Sequence, residues 1–90
     1  MKVEIKVAKV EGVCEAGYKV GDRIYLDKFL LSSDKPICVH AISSLSNVAY
    51  ALSHGMEPES LGVKEIYLSC PDPGTELGRG RVIFKLEVVD

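Results

Sequence analysis

Residues 36–55 read PICVHAISSLSNVAYALSHG, and this stretch decides the fold. Its apolar residues recur at the spacing of one helical face, and Pro36 suits a first helical turn because its missing N–H is not needed there. Residues 32–34, Ser-Ser-Asp, supply N-cap candidates, and Gly55 is a typical C-terminal stop. We predict a helix of about five turns beginning near Pro36. Its apolar stripe comprises Cys38, Ala41, Ile42, Leu45, Val48, Ala49 and Leu52.

The other side of this helix is polar but carries no charge. No Asp, Glu, Lys or Arg lies between Lys35 and Glu57, whereas an exposed helix face usually carries charged residues. This side is therefore a candidate interface. Its residues are His40, Ser43, Ser44, Asn47 and His54.

Strand patterns flank the helix on both sides, with two predicted before it and two after it. Apolar residues alternate with polar ones, as in strands with one buried face. The predicted buried faces are Val3, Ile5 and Val7; Ile24 and Leu26; Ile66, Leu68 and Cys70; and Val82, Phe84, Leu86 and Val88. Residues 11–18 contain two glycines and broken periodicity, which predicts a loop or bulge. Pro71 and Pro73 end the third strand, since proline cannot continue a ladder.

The element order β-β-α-β-β predicts an α+β fold. One helix on one face of a mainly antiparallel sheet buries the helical stripe, giving a small two-layer sandwich. Residues 1–90 form a single domain without an internal repeat. A chain of this size has a thin core, and the last strand is also partly apolar on its second face, at Ile83 and Val89. We therefore expect that strand to be central or interfacial, and the chain to form a homo-oligomer.

Charge and the N-terminal pattern narrow the class of partner and the compartment. The chain has 11 basic and 13 acidic residues that alternate rather than cluster, so nucleic acid and membrane surfaces are not expected partners. Charges interrupt the apolar residues of positions 1–7, unlike a signal peptide. We expect a soluble, cytoplasmic protein.

Three cysteines, Cys14, Cys38 and Cys70, carry most of the chemical information. An odd number without paired spacing argues against a disulfide framework. If the ends of the first strand, the helix and the third strand converge, the three sulfurs are candidate ligands for zinc or another thiolate-binding metal. Water, His40 or an acid would complete the site. No Cys-x-x-Cys is present, and Cys38 and His40 would lie about 200° apart on a regular helix.

Two other interpretations of the cysteines stay open. Cys38 and Cys70 lie on apolar faces, and free cysteine is among the most buried residue types, so both fit a core role. Alternatively, Cys38 is a reactive thiol at a helix N-terminus. Nucleophilic catalysis also needs a nearby base, and neither His40 nor His54 is a convincing one; a solvated surface position suits each better.

Two loop features are weaker candidates for binding. Residues 78–81, Gly-Arg-Gly-Arg, would present two guanidinium groups to a carboxylate or phosphate, but they lack the strand and helix context of a phosphate-binding loop. A turn with solvated arginines is the better interpretation. Asp72, between two prolines, indicates turn chemistry first and a ligand-binding role second.

A pattern running through nearly the whole chain resembles that of a family of small, uncharacterised bacterial and archaeal proteins. It consists of Cys14, residues 17–22 (Gly-Tyr-Lys-Val-Gly-Asp), Ile37, Cys38, Leu45, Gly55 and residues 70–73 (Cys-Pro-Asp-Pro). The resemblance implies a shared site at Cys14, Cys38 and Cys70 without naming what binds there or any activity. His40 lies outside the pattern.

The leading functional hypothesis is a thiol-lined metal- or ligand-binding protein that uses Cys14, Cys38 and Cys70, with Asp72 as a further ligand-binding residue. The alternative is a non-catalytic, self-associating interaction module with structural cysteines in its core. The sequence leaves open the ligand, and whether any reaction is catalysed.

Overall fold

The fold consists of five strands, one α-helix and one 3₁₀ turn, described for residues Met1–Asp90 in a computed structural model. The strands are β1 (Lys2–Gly12), β2 (Arg23–Asp27), β3 (Leu30–Ser33), β4 (Ile66–Ser69) and β5 (Gly80–Val88). The helix α1 spans Val39–Ser53 between β3 and β4, and the 3₁₀ turn spans Pro58–Leu61.

All strands belong to one antiparallel sheet with the order β3-β2-β1-β5-β4. The helix covers one face of this sheet, so the predicted α+β class is confirmed. The last strand lies between β1 and β4, which confirms its predicted central position. No helix is long and apolar enough to cross a membrane.

The core lies between α1 and the sheet. Four helix residues of the predicted stripe are buried, namely Ala41, Leu45, Ala49 and Leu52, while Ile42 and Val48 are half-buried. They pack on side chains that alternate along the strands, with Val3, Ile5 and Phe84 fully inaccessible to solvent. The apolar face of the helix, with its period of 3.6 residues, thus packs on the apolar face of the strands, with its period of 2.

A β-bulge extends β1 beyond its predicted end. The register with β5 shifts between Val7, which faces Phe84, and Lys9, which faces Ile83. Because of the one extra residue, the side chains of β1 that face the helix are at odd positions before the bulge and at even positions after it. Val10 therefore lies opposite Val82. Because of the bulge, β1 runs to Gly12 and part of the predicted loop over residues 11–18 is strand.

The structure differs from the prediction in the segment before the helix. Residues Leu30–Ser33 form a strand that pairs with β2, so the element order gains a third strand before α1. The turn between β2 and β3 has Lys28 in the left-handed region (φ 58°), without the glycine or asparagine that usually signals such a turn. The serines proposed as N-caps are therefore strand residues.

The helix also begins later than predicted. Cys38 is the N-cap residue with an extended backbone (φ −70°, ψ 127°), and the first helical residue is Val39. Pro36 therefore precedes the helix rather than opening it.

The outer face of the sheet is open and charged. Ion pairs cross it, among them Arg23 with Glu4 (3.3 Å) and Arg81 with Glu11 (3.1 Å). Along residues 83–86 of β5, strand pairing to a second copy is blocked, because β1 and β4 occupy both sides there. Self-association, including face packing of the last strand through Ile83 and Val89, stays a prediction.

Candidate functional site

All three cysteines line one cavity of about 330 Å³ at one end of the sheet. This cavity, the three-cysteine pocket, lies where the chain leaves β1, where α1 begins, where β4 ends and where β5 starts. The sequence analysis made a shared site conditional on these ends lying close together, and in the structure they do. The lining residues are Val13, Cys14, Glu15, Ala16, Tyr18, Cys38, His40, Ala41, Cys70, Asp72, Arg79, Gly80, Val82 and Phe84.

Cys14 enters the pocket from the loop that follows β1. The backbone N–H of Val13 still donates to the Arg79 carbonyl (3.1 Å), so the chain beside Cys14 is tied to the start of β5. The Cys14 carbonyl then accepts from the Gly17 N–H (3.0 Å) in a tight turn. The thiol is half-buried and packs against the core.

Cys38 is held by Tyr18. The Cys38 N–H donates to the tyrosine hydroxyl (2.9 Å), and the Tyr18 ring packs edge-to-face on Phe84, with the ring centroids 5.9 Å apart. Tyr18 is only 5% exposed. The start of α1 is thereby attached to the aromatic wall of the pocket, and the Cys38 side chain makes no capping hydrogen bond.

Cys70 is the most tightly fixed of the three. Its N–H donates to the Val82 carbonyl (3.0 Å), and the Val82 N–H donates to its sulfur (3.3 Å). The first bond continues the β4–β5 pairing by one residue past the end of β4, and in the second the sulfur takes the place of the backbone carbonyl as acceptor. The half-buried sulfur is therefore held at the edge of the pocket by the backbone of the sheet.

The polar groups of the pocket are few. Arg79 and Glu15 form an ion pair (2.5 Å) in which both side chains are about two-thirds exposed, at 68% and 67%. They provide a donor and an acceptor that solvent reaches. Arg81 points away and binds Glu11, so the two arginines of residues 78–81 do not form a joint anion site.

Asp72 lines the pocket, but its carboxylate organises the loop. It accepts backbone N–H groups from Gly74 (2.9 Å), Gly80 (3.2 Å) and Arg79 (3.4 Å). The Gly74 N–H first, and then those of Gly80 and Arg79, hold the pKa of this carboxyl below its usual value. The turn interpretation of Asp72 is confirmed, and a contact with ligand stays a prediction.

Glycine permits the close approach of β1 and β5 beside the pocket. Gly12 and Gly80 lie opposite each other, and a Cβ on Gly80 would overlap the Glu11 carbonyl oxygen and the Val13 nitrogen. Both obstacles are backbone atoms that cannot rotate away. Gly80 is therefore a structural residue of the site, whereas the sequence analysis placed it in a turn with solvated arginines.

The two histidines have different surroundings. His40 lines the same cavity as Cys38, although helical geometry predicted opposite sides; Cys38 is an extended N-cap residue, so the angle of a regular helix does not apply. His54 lies at the far end of α1, where its Nδ1 is 3.0 Å from the Tyr50 carbonyl oxygen. Neither histidine is hydrogen-bonded to a thiol.

The geometry favours a shared cavity rather than a metal centre. No group of three or more His, Cys, Asp or Glu side chains is arranged so that it could hold a metal ion. The three-cysteine metal site therefore gains no support from the structure and stays a prediction. Tyr18, Phe84 and Val82 were not predicted as site residues; they line the pocket because their strands and loops meet there.

No protein-family model matches this chain, and neither a curated protein nor a solved structure is significantly similar to it. The family resemblance indicated by the sequence pattern stays a prediction.

Proposed function

We propose that this protein binds a small, largely apolar molecule in the three-cysteine pocket, where the thiols contact the ligand. One observation carries the proposal: three cysteines distant in sequence, on three different parts of the fold, all line one cavity. All three are half-buried, so they line the cavity while packing against the core.

The size of the pocket limits the ligand. Small-molecule sites range from about 300 to 1,000 Å³, so a cavity of about 330 Å³ is at the small end. A cavity of about 150 Å³ already accepts benzene. The expected ligand therefore has one ring or two fused rings, or an aliphatic body of similar size.

The lining defines the chemistry of the ligand. Hydrophobic side chains, the three cysteines among them, form most of the wall, and a polarisable sulfur packs favourably against an aromatic ring. The Glu15–Arg79 pair at the solvent-exposed side offers hydrogen-bonding groups to one polar end. A compact apolar molecule with a single polar substituent fits this arrangement.

The arrangement supports binding rather than nucleophilic catalysis. A nucleophilic thiol needs a base within hydrogen-bond reach. The only hydrogen bond to a thiol sulfur comes from the Val82 backbone N–H. The pocket thus offers thiols as contact groups, without the paired base of a catalytic site.

NMR titration of ¹⁵N-labelled protein with benzyl alcohol and with indole tests this proposal. We expect saturable shifts at the amides of Cys14, Cys38, Cys70 and Val82. Filling the pocket by Ala16→Phe should abolish them, whereas the matched variant Ala8→Phe, at an exposed alanine in the β1 bulge, should not. Shifts scattered over the surface, or equal in both variants, would contradict the proposal.

Metal analysis separates the two versions of the thiol hypothesis. Near-stoichiometric zinc in protein purified without chelator, lost on replacing any one cysteine, would favour the metal site, because binding energy would then be folding energy. We expect metal-free protein that binds the organic probes.

A further inference from the structure

We infer that the free edge of β3 is a docking site for the same strand of a second copy, forming one continuous sheet across a two-fold axis. β3 is the outermost strand on its side of the sheet, so the outward N–H and C=O groups of Leu30–Ser33 have no strand partner. Such an edge is a template for pairing with another chain unless charge, proline or a bulge blocks it. None of these occurs within Leu-Leu-Ser-Ser.

The opposite edge of the sheet is engaged by the helix. The carbonyl of Ser69, the last residue of β4, accepts the Ser44 hydroxyl of α1 (3.2 Å). We therefore place the edge pairing at β3.

Exposed apolar side chains surround this edge. Leu30 is 76% exposed and Leu31 is 42% exposed. On the helix side, Phe29 is 71% exposed and packs loosely against Tyr50 and His54 of α1, with ring centroids 6.2 and 5.8 Å apart. A second copy would cover apolar surface that solvent now contacts.

Symmetry limits the register of the pairing. Opposite residues of antiparallel strands alternate between hydrogen-bonded and non-hydrogen-bonded pairs. In each pair across the two-fold axis, both residues direct their backbone N–H and C=O groups toward the other copy, or both direct them away from it. Because these directions alternate along a strand, the residue numbers of the two partners must differ by an even number. One residue must therefore face its own copy, and within the strand the choices are Leu30, Leu31, Ser32 and Ser33.

Charge complementarity selects Leu31. Centred there, the pairing brings the β2–β3 turn, which carries Lys28, to the end of the strand where Asp34 of the second copy follows Ser33, and the same pair recurs across the axis. Neither Lys28 nor Asp34 belongs to any of the ion pairs within the chain. The register centred on Ser32 would instead set Leu30 against Asp34.

The contact between the two copies of Leu31, on the helix-facing side of the sheet, also favours this register. Leu31 lies opposite Leu26 of β2, on the side of the sheet that faces the helix. The two copies of Leu31 would be direct cross-strand neighbours, and an apolar pair in that position stabilises strand pairing. The result is a ten-stranded sheet, five strands from each copy, with both helices on the same face.

The oligomeric state of the full chain, measured by light scattering and sedimentation at concentrations up to about 1 mM, tests the inference. The wild type should approach twice the monomer mass of 9.8 kDa. Leu31→Lys would set two lysines face to face and should raise the dimer Kd at least about tenfold. The control Leu77→Lys, at a leucine that is 83% exposed in a loop, should leave the Kd unchanged.

A charge exchange tests the register. Lys28→Asp alone and Asp34→Lys alone should each weaken the dimer, and the double variant should restore it. A wild-type monomer at every concentration, a dimer indifferent to Leu31→Lys, or a double variant no better than the single ones would overturn the inference.

Discussion

Tyr18→Phe removes one hydroxyl from the wall of the three-cysteine pocket and tests how the start of α1 is fixed. The hydroxyl accepts the N–H of Cys38 at 2.9 Å, and the ring that carries it packs on Phe84. Phenylalanine keeps the ring and its packing, so the variant isolates the hydrogen bond. The Cys38 N–H then loses its only protein partner.

The expected cost follows from the burial of the two partners. Leaving a buried donor unsatisfied costs about 1–3 kcal/mol. Tyr18 is 5% exposed, but Cys38 is half-buried, so water compensates in part and the cost should be about 1 kcal/mol. For a domain of this size, that corresponds to a fall in Tm of about 4–8 °C.

Urea denaturation and the alkylation rate of Cys38, followed by mass spectrometry, measure the two consequences. We expect a lower denaturation midpoint with an unchanged slope, and faster alkylation of Cys38 because the N-cap is loosened. Tyr67→Phe is the matched control: its hydroxyl donates to Glu65 (3.0 Å) on the exposed outer face. Its free energy of unfolding should change by less than about 0.5 kcal/mol. If Tyr18→Phe matches Tyr67→Phe in both measurements, the reasoning about Cys38 is refuted.

Two further predictions concern the core and the Asp72 loop. Leu45→Ala, at a residue without solvent exposure, should lower the free energy of unfolding by about 2–5 kcal/mol, and a loss below about 1 kcal/mol in reversible unfolding would show that Leu45 is not core. Asp72 has a folded pKa below its ordinary value of 3.8 because of backbone N–H donors, chiefly that of Gly74, so its stabilising contribution is present above the unfolded pKa and is lost as the pH falls through the folded pKa. Asp72→Asn should therefore lower stability at neutral pH and flatten the acid dependence between about pH 5 and 2; an acid profile identical to that of the wild type would contradict this account.

The sequence predicts those parts of the fold that rest on long periodic patterns. The helical stripe around Leu45 and the alternation through Val3 and Phe84 each extend over several residues, so one misplaced residue does not obscure them. The strand β3 was missed because Leu30–Ser33 has two apolar residues followed by two polar ones and so shows no alternation. Its turn at Lys28 also lacks the usual glycine signal.

The site was predictable in part. The three cysteines mark it because each follows or precedes a regular element, and antiparallel connections bring such ends together. The pocket residues Tyr18 and Phe84 could not be identified in this way, because an aromatic residue in a loop or strand is usually interpreted as a core residue. The geometry of the helix start depends on the extended backbone of Cys38, which a proline two residues earlier does not specify. That backbone also explains why His40 shares the pocket with Cys38 against expectation.

Whether the three thiols share one pocket is tested most directly by counting adducts of N-phenylmaleimide on the intact protein. The reagent carries a ring of the size that the pocket of about 330 Å³ accepts. Mass spectrometry of the native protein should show a plateau at one adduct, because the first adduct fills the cavity and shields the other two cysteines; the same plateau should appear whichever two of Cys14, Cys38 and Cys70 remain. Three adducts added at independent rates would contradict a common pocket.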